Sequence, residues 1–176
     1  MENLKLLVVD DEPNIVNTMQ LGLEAKGYTV ITALSGEEAL EKYQREKPDV
    51  ILLDLKLSGI DGMEVLRKIK QQDQRTEVIM MTAYGSVKTA VEAMKIGAYD
   101  YITKPSSVEE VSLILRNIEE RFKLYDENEG RINTYCNLER TSRNSHVSKK
   151  DFICNSSTFF INLYAYSGPV RSSLKY

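Results

Sequence analysis

The sequence predicts an α/β protein whose core is a doubly wound, five-stranded parallel sheet. Short apolar runs of strand length alternate five times with longer segments of helical period. The third run, Val50-Ile51-Leu52-Leu53, is apolar throughout, as in a central parallel strand covered on both faces. Successive parallel strands joined through helices require right-handed crossovers, which distribute the helices over both sides. Acidic residues directly follow the first and third runs, where open parallel sheets place their ligand sites.

Each element has its own signal. The first strand is Lys5 to Val9; a helix starts near Pro13, where a missing N–H is harmless in a first turn, and ends at Gly27. The second strand is Thr29 to Ala33. Ser35-Gly36-Glu37-Glu38 then reads as a capping box opening a helix with Ala39, Leu40 and Tyr43 on one face, closed by Pro48. Strand three, Val50 to Leu53, meets its first polar residue at Asp54, and the loop Ser58-Gly59-Ile60-Asp61-Gly62 leads into helix three. There Val65, Leu66 and Ile69 recur at helical spacing, with Arg67, Lys68 and Lys70 expected outward. Strand four is Glu77 to Met81, followed by Thr82-Ala83-Tyr84-Gly85, and helix four carries Val87, Ala90, Val91 and Met94 until Gly97. Tyr99 to Thr103 is strand five, ending at Lys104-Pro105. Helix five begins near Val108, with Val111, Ile114, Leu115, Ile118 and Phe122 inward.

Domain organisation follows the loss of this pattern. Residues 1–125 form the α/β domain, whereas 126–176 are rich in Asn, Ser, Thr and Tyr and read as an irregular or disordered tail. A short aromatic-apolar stretch, Ser156 to Tyr166, is compatible with one strand but not with a second core. The abrupt change suggests a truncated or frame-shifted remnant.

Bulk properties narrow the function. The chain has 176 residues and a formal net charge of -3, without the clustered Lys and Arg of a nucleic-acid surface. Cys136 and Cys154 form no CxxC pair, and with His146 as the single histidine a zinc site lacks ligands. No signal peptide or membrane-length apolar run is evident, so a cytoplasmic protein is expected.

Four clusters carry chemistry: Asp10-Asp11-Glu12, Asp54, Thr82, and Lys104-Pro105. Singly, the acids suit turns or caps, and Thr82 and Lys104 suit an ordinary surface. Three carboxylates at one sheet edge, however, repel one another and call for a divalent cation. Mg2+ favours hard oxygen ligands, which Asp10, Asp11, Asp54 and the Lys56 backbone carbonyl supply. Asp54 is the candidate nucleophile, forming an aspartyl phosphate, while Lys104 and the Thr82 hydroxyl engage the transferred oxygens. The Lys104-Pro105 peptide is a candidate for the cis form.

As a set, Val8-Val9-Asp10-Asp11-Glu12, Asp54, Asp61-Gly62, Thr82-Ala83, Gly97-Ala98, Tyr101 and Lys104-Pro105 resemble the receiver domain of two-component response regulators, over about Leu4 to Tyr125. The phrases Met80 to Ser86 and Ala93 to Tyr101 are most similar to receivers of the nitrogen-regulator, sigma-54 activator type. The resemblance implies a flavodoxin-like strand order 2-1-3-4-5 and a phosphorylation switch rather than an enzyme. Asp54 accepts phosphate from a sensor histidine kinase or histidine phosphotransfer protein, Asp10 and Asp11 hold Mg2+, Thr82 and Lys104 contact the phosphoryl group, and Tyr101 is the aromatic switch. The helix four, strand five, helix five face is expected to change on phosphorylation and to offer a homodimer contact.

Two departures stand out. Ser58 replaces a proline usual after the phosphoacceptor, loosening that loop, and Ser106 replaces an aromatic after Lys-Pro. Lys56 and Tyr84 sit two residues beyond Asp54 and Thr82, placed to crowd an attacking water and prolong the phosphoryl lifetime. The sequence shows no GxxxxGK[ST] loop and no helix-turn-helix pattern, so it is expected neither to bind nucleic acid directly nor to act by itself as a complete activator. A stand-alone phosphorelay intermediate is the alternative. A haloacid-dehalogenase-type phosphatase is more distant, because it needs an acid where Lys56 stands, and a nucleotide-binding flavodoxin-like protein needs glycines where the first loop has carboxylates.

Overall fold

The computed structural model describes residues 4–83, 86–104 and 106–143, with side chains as far as Asp126. Five strands, β1 (Lys5–Val9), β2 (Thr29–Ala33), β3 (Val50–Asp54), β4 (Glu77–Thr82) and β5 (Asp100–Thr103), alternate with five helices. The helices are α1 (Pro13–Glu24), α2 (Gly36–Glu46), α3 (Gly62–Gln72), α4 (Val87–Ile96) and α5 (Val108–Arg143). All strand pairs are parallel and the order is β2-β1-β3-β4-β5, as expected.

Strand periodicity divides the core into two layers, because successive side chains point to opposite faces. Leu7, Val9, Ile51, Leu53, Val78 and Met80 pack against Tyr43 of α2 and Val65, Leu66 and Ile69 of α3. Leu6, Val8, Val50, Leu52, Ile79 and Met81 pack against Met19 and Leu23 of α1 and Val111, Leu115 and Ile118 of α5. The central strands β1 and β3 are therefore sealed on both sides, which explains their unbroken apolar runs.

The helix ends follow local chemistry. Ser35 caps α2 by accepting the Glu38 N–H at 3.2 Å, but the Glu38 carboxylate reaches back to Leu34 N–H rather than closing the reciprocal box. Lys47 leaves α2 at φ 47°, since the residue before Pro48 is disfavoured in the right-handed helical region. α4 has the full reciprocal box instead, between Ser86 and Thr89, and stops at Gly97 with φ 116°. α1 ends at Glu24, slightly before Gly27.

Two expectations, for Lys70 and for residues 126–143, are corrected. Lys70 is not outward: it is 5% exposed, and its ammonium meets the Thr76 carbonyl at 2.8 Å and Glu77 Oε2 at 3.4 Å. Arg121 of α5 reaches the other Glu77 oxygen at 3.1 Å, so one carboxylate holds two cations. In α4 the residues Val87, Val91 and Met94 are exposed, and the single buried side chain is Ala93. Finally, α5 continues through residues 126–143, where an irregular segment was expected. Helix propagation needs no apolar stripe, and Glu129, Arg131, Leu138, Glu139 and Arg140 are good helix formers.

The chain divides into two units, Met1–Phe122, which holds the sheet, and Lys123–Tyr176, whose described part is this helical continuation. The expected strand within Ser156 to Tyr166 lies outside the described residues, as do Tyr84 and the Lys104-Pro105 peptide.

Candidate functional site

Register brings the predicted residues to one edge. Leu53 of β3 pairs with Val9 of β1, so Asp54 and Asp10 emerge side by side from adjacent strands. Asp54 in turn pairs with Met81 of β4, and Thr82 with Thr103 of β5, which places Thr82 and Lys104 on the same carboxyl edge. The Lys104 N–H donates to the Thr82 carbonyl at 2.7 Å, tying the loop after β5 to the end of β4.

Asp10, Asp11 and Asp54 each offer a carboxylate oxygen within 4.8 Å of the others. Asp10 and Asp54 are buried and Asp11 is exposed. Asp10 is held from both sides: its N–H donates to Ala33 O at 3.2 Å, and its Oδ1 accepts the Glu12 N–H at 3.0 Å. The Lys104 ammonium lies between the buried pair, hydrogen-bonded to Asp10 Oδ2 and 3.2 Å from Asp54 Oδ2.

Burial pushes the Asp54 carboxyl above its ordinary range, with the nearby Lys104 charge opposing the rise and Asp10 reinforcing it. For Lys104, burial works against the ammonium, but the bonds and charges of Asp10 and Asp54 outweigh it and raise the pKa. The site thus stores like charge around one cation. Its donors are hard oxygens, which fit a divalent cation such as Mg2+ and offer nothing to a softer metal.

Close packing sets the position of the Asp54 backbone. A Cβ added to Gly62 would lie 2.1 Å from the Asp54 carbonyl oxygen, so only glycine allows α3 to begin there. Gly62 N–H closes the loop by donating to Leu55 O at 3.0 Å, and Leu55 N–H donates to Met81 O at 3.0 Å. Lys56 lies in this loop with its side chain exposed.

Tyr101 is partly buried against the α2–α4 layer, and its hydroxyl meets Thr89 Oγ1 at 3.1 Å. Thr89 is also the third residue of α4 and closes its capping box with Ser86, so the tyrosine is joined to the start of α4. Sequence reasoning missed this partner, whose Ser86-x-x-Thr89 spacing was a usable capping signal. It also missed Glu37, which was read only as part of a cap, although its Oε1 accepts the Ile60 N–H in the phosphoacceptor loop. Ser106 Oγ is buried without a hydrogen-bond partner among the described residues.

Comparison with known proteins agrees with this geometry. Residues 6–116 match the response regulator receiver domain. The chain is 44% identical over 138 residues to PhoP, the alkaline phosphatase synthesis transcriptional regulatory protein of Bacillus subtilis (strain 168), covering 74% of this chain and 58% of PhoP. It is 38% identical over 112 residues to regulatory protein AtoC of Escherichia coli (strain K12), covering 64% of this chain and 24% of AtoC. Sporulation initiation phosphotransferase F of Bacillus subtilis (strain 168) is 37% identical over 111 residues, covering 63% of this chain and 90% of that protein. A crystal structure of a response regulator receiver domain protein from Clostridium thermocellum superposes with a TM-score of 0.66 at 35% identity, covering 69% of this chain and 98% of that one. The chain spans 58% of the length of PhoP and 24% of that of AtoC. With strand order, acidic edge and sequence in accord, the chain belongs to the response regulator receiver domain family.

Proposed function

We propose that this receiver is a phosphorylation switch in which Asp54 accepts a phosphoryl group from a phosphohistidine of a sensor histidine kinase or histidine phosphotransfer protein. The observation that carries the reading is the convergence of three carboxylates on one edge, with the Lys104 ammonium bridging the two buried ones. An Asp54 carboxylate oxygen attacks phosphorus; the P–O bond forms as the P–N bond breaks, and the electron pair leaves with the imidazole. Lys104 turns its ammonium toward the transferred oxygens, and Thr82 donates its hydroxyl to one of them. Asp10, Asp11, Asp54 and the Lys56 carbonyl would hold Mg2+, which when bound supplies positive charge against the phosphoryl oxygens.

The added charge draws Thr82 toward the phosphoryl group and lets Tyr101 leave Thr89 and move inward. The face formed by α4, β5 and α5 then changes, exposing a different arrangement of Val87, Val91 and Met94 to a partner or second copy. This is a population shift biased by a local charge. The reading places the protein in the cytoplasm with its kinase; among the described residues no helix is long and apolar enough to cross a membrane.

The test is acid-quenched intact-mass spectrometry of wild type and Asp54→Ala after incubation with acetyl phosphate and Mg2+, with EDTA as control. One Mg2+-dependent phosphate, lost in the variant, is the expected result. A folded wild type that gains none would overturn the reading. A second reading, a phosphorelay carrier, is favoured by the similarity to sporulation initiation phosphotransferase F, which spans 90% of that protein. Rapid phosphate exchange with a histidine phosphotransfer protein supports the carrier; phosphorylation-driven dimerisation supports a regulator.

A further inference from the structure

The first turn of α2 clasps the phosphoacceptor loop from the side. Glu37 Oε1 accepts the Ile60 N–H at 3.0 Å. Two glycines from different segments admit this contact. A Cβ on Gly59 would lie 2.5 Å from Glu37 Oε1, and a Cβ on Gly36 would lie 2.5 Å from the Ile60 carbonyl oxygen. Gly59 also adopts φ +86°, a conformation that side chains rarely tolerate. Glu37's own backbone N–H, and after it the Ile60 N–H, hold the Glu37 carboxyl below its ordinary range, so the acceptor is charged at neutral pH.

The same loop is fixed at its base by the Leu55 and Gly62 backbone bonds. Lys56 lies between the base and the Glu37 contact. Constraining both ends of so short a segment restricts its carbonyl directions before any ligand arrives, and a preorganised ligand binds with less ordering cost.

We infer that Glu37 is a positioning residue of the phosphoacceptor loop: through Ile60 it holds the loop in the shape that aims the Lys56 backbone carbonyl at the divalent cation. The inference rests on the cation site proposed above. Glu37 touches neither phosphate nor metal. Its effect therefore appears first in cation affinity of the unphosphorylated protein.

Three substitutions separate this role from a general one. Glu37→Ala removes the acceptor, and Glu37→Gln keeps an amide oxygen for the Ile60 N–H while losing the charge. Glu37→Asp keeps a charge favourable at a helix N-terminus but shortens the reach. Mg2+ titration of the full chain by calorimetry, with amide exchange at Ile60, reads the outcome. Glu37→Ala and Glu37→Asp should raise the Mg2+ Kd roughly three- to tenfold, the equivalent of one ordinary hydrogen bond, and speed Ile60 exchange. Glu37→Gln should restore most of both. An unchanged Kd in the Asp variant overturns the inference even if Glu37→Ala fails to fold, and equal losses in Gln and Asp do the same. A folded wild type that binds no Mg2+ overturns the cation site and the clasp together, whereas normal wild-type binding with unaffected variants overturns the clasp alone.

Discussion

One methyl group at Gly62 tests how closely the Asp54 backbone is positioned. A Cβ there would stand 2.1 Å from the Asp54 carbonyl oxygen and 3.0 Å from both Asp54 C and Leu55 Cα. Carbon and oxygen in ordinary contact are separated by about 3.3 Å or more, so the two backbone segments must part by about 1 Å. Overpacking of this kind costs about 1–3 kcal/mol. Weakening the Gly62 N–H bond to Leu55 O adds roughly 1 kcal/mol. The helical preference of Ala over Gly returns at most about 1 kcal/mol. Gly62→Ala should therefore lose about 1–3 kcal/mol in urea unfolding. A nucleophile displaced by about 1 Å reacts on the order of a hundredfold more slowly, so initial phosphorylation by acetyl phosphate should fall far more than stability explains. Gly27→Ala is the control. It sits at φ +94° in open space after α1, and its backbone strain of about 1–2 kcal/mol should leave the phosphorylation rate unchanged. Wild-type kinetics in Gly62→Ala, or an equal rate loss in Gly27→Ala, would refute the argument.

Other consequences are equally open to measurement. Glu77→Ala strands the buried Lys70 ammonium and should cost about 3 kcal/mol in urea, whereas Lys70→Met, which leaves Glu77 paired with Arg121, should cost clearly less; equal losses would contradict the shared-carboxylate network. Thr82→Ala should still be phosphorylated, yet lose most of the NMR shifts that phosphorylation induces at Tyr101 and α4, and a full response would break the proposed coupling. Glu38 has its carboxyl held below the ordinary 4.5, first by the Leu34 N–H and then by Lys42. A depressed acid stabilises above its unfolded pKa and loses that contribution as pH falls through its folded value. Glu38→Gln should thus be less stable than wild type at pH 7 by under about 1 kcal/mol, a gap that closes below 4.5 and whose persistence into strong acid would exclude the assignment.

The limits of the sequence are clearest at individual residues. Arg67, Lys68 and Lys70 look alike beside an apolar stripe, yet Lys70 is buried because Thr76 and Glu77 receive its ammonium. Those partners lie beyond the end of α3, and no helical period reveals them. In α4, Val87, Val91 and Met94 mark a helix, but Ala93 is the side chain that turns inward. Apolar spacing identifies a stripe without saying whether anything covers it. The irregular reading of residues 126–143 failed for the converse reason: backbone hydrogen bonding extends α5 without an apolar pattern.

Local chemistry was sufficient wherever the controlling partners are adjacent in the chain or dictated by strand alternation. Five apolar runs with intervening helical periods determined the doubly wound sheet, and the polar residues ending those runs determined the acidic edge of Asp10, Asp11 and Asp54, with Thr82 and Lys104 beside it. Tertiary structure alone decided contacts between elements remote in sequence: Lys104 between Asp10 and Asp54, Tyr101 on Thr89, Gly62 beneath the Asp54 carbonyl, and Glu37 on Ile60. Periodicity specifies which face a residue occupies, whereas crossover connections and strand register bring two faces together.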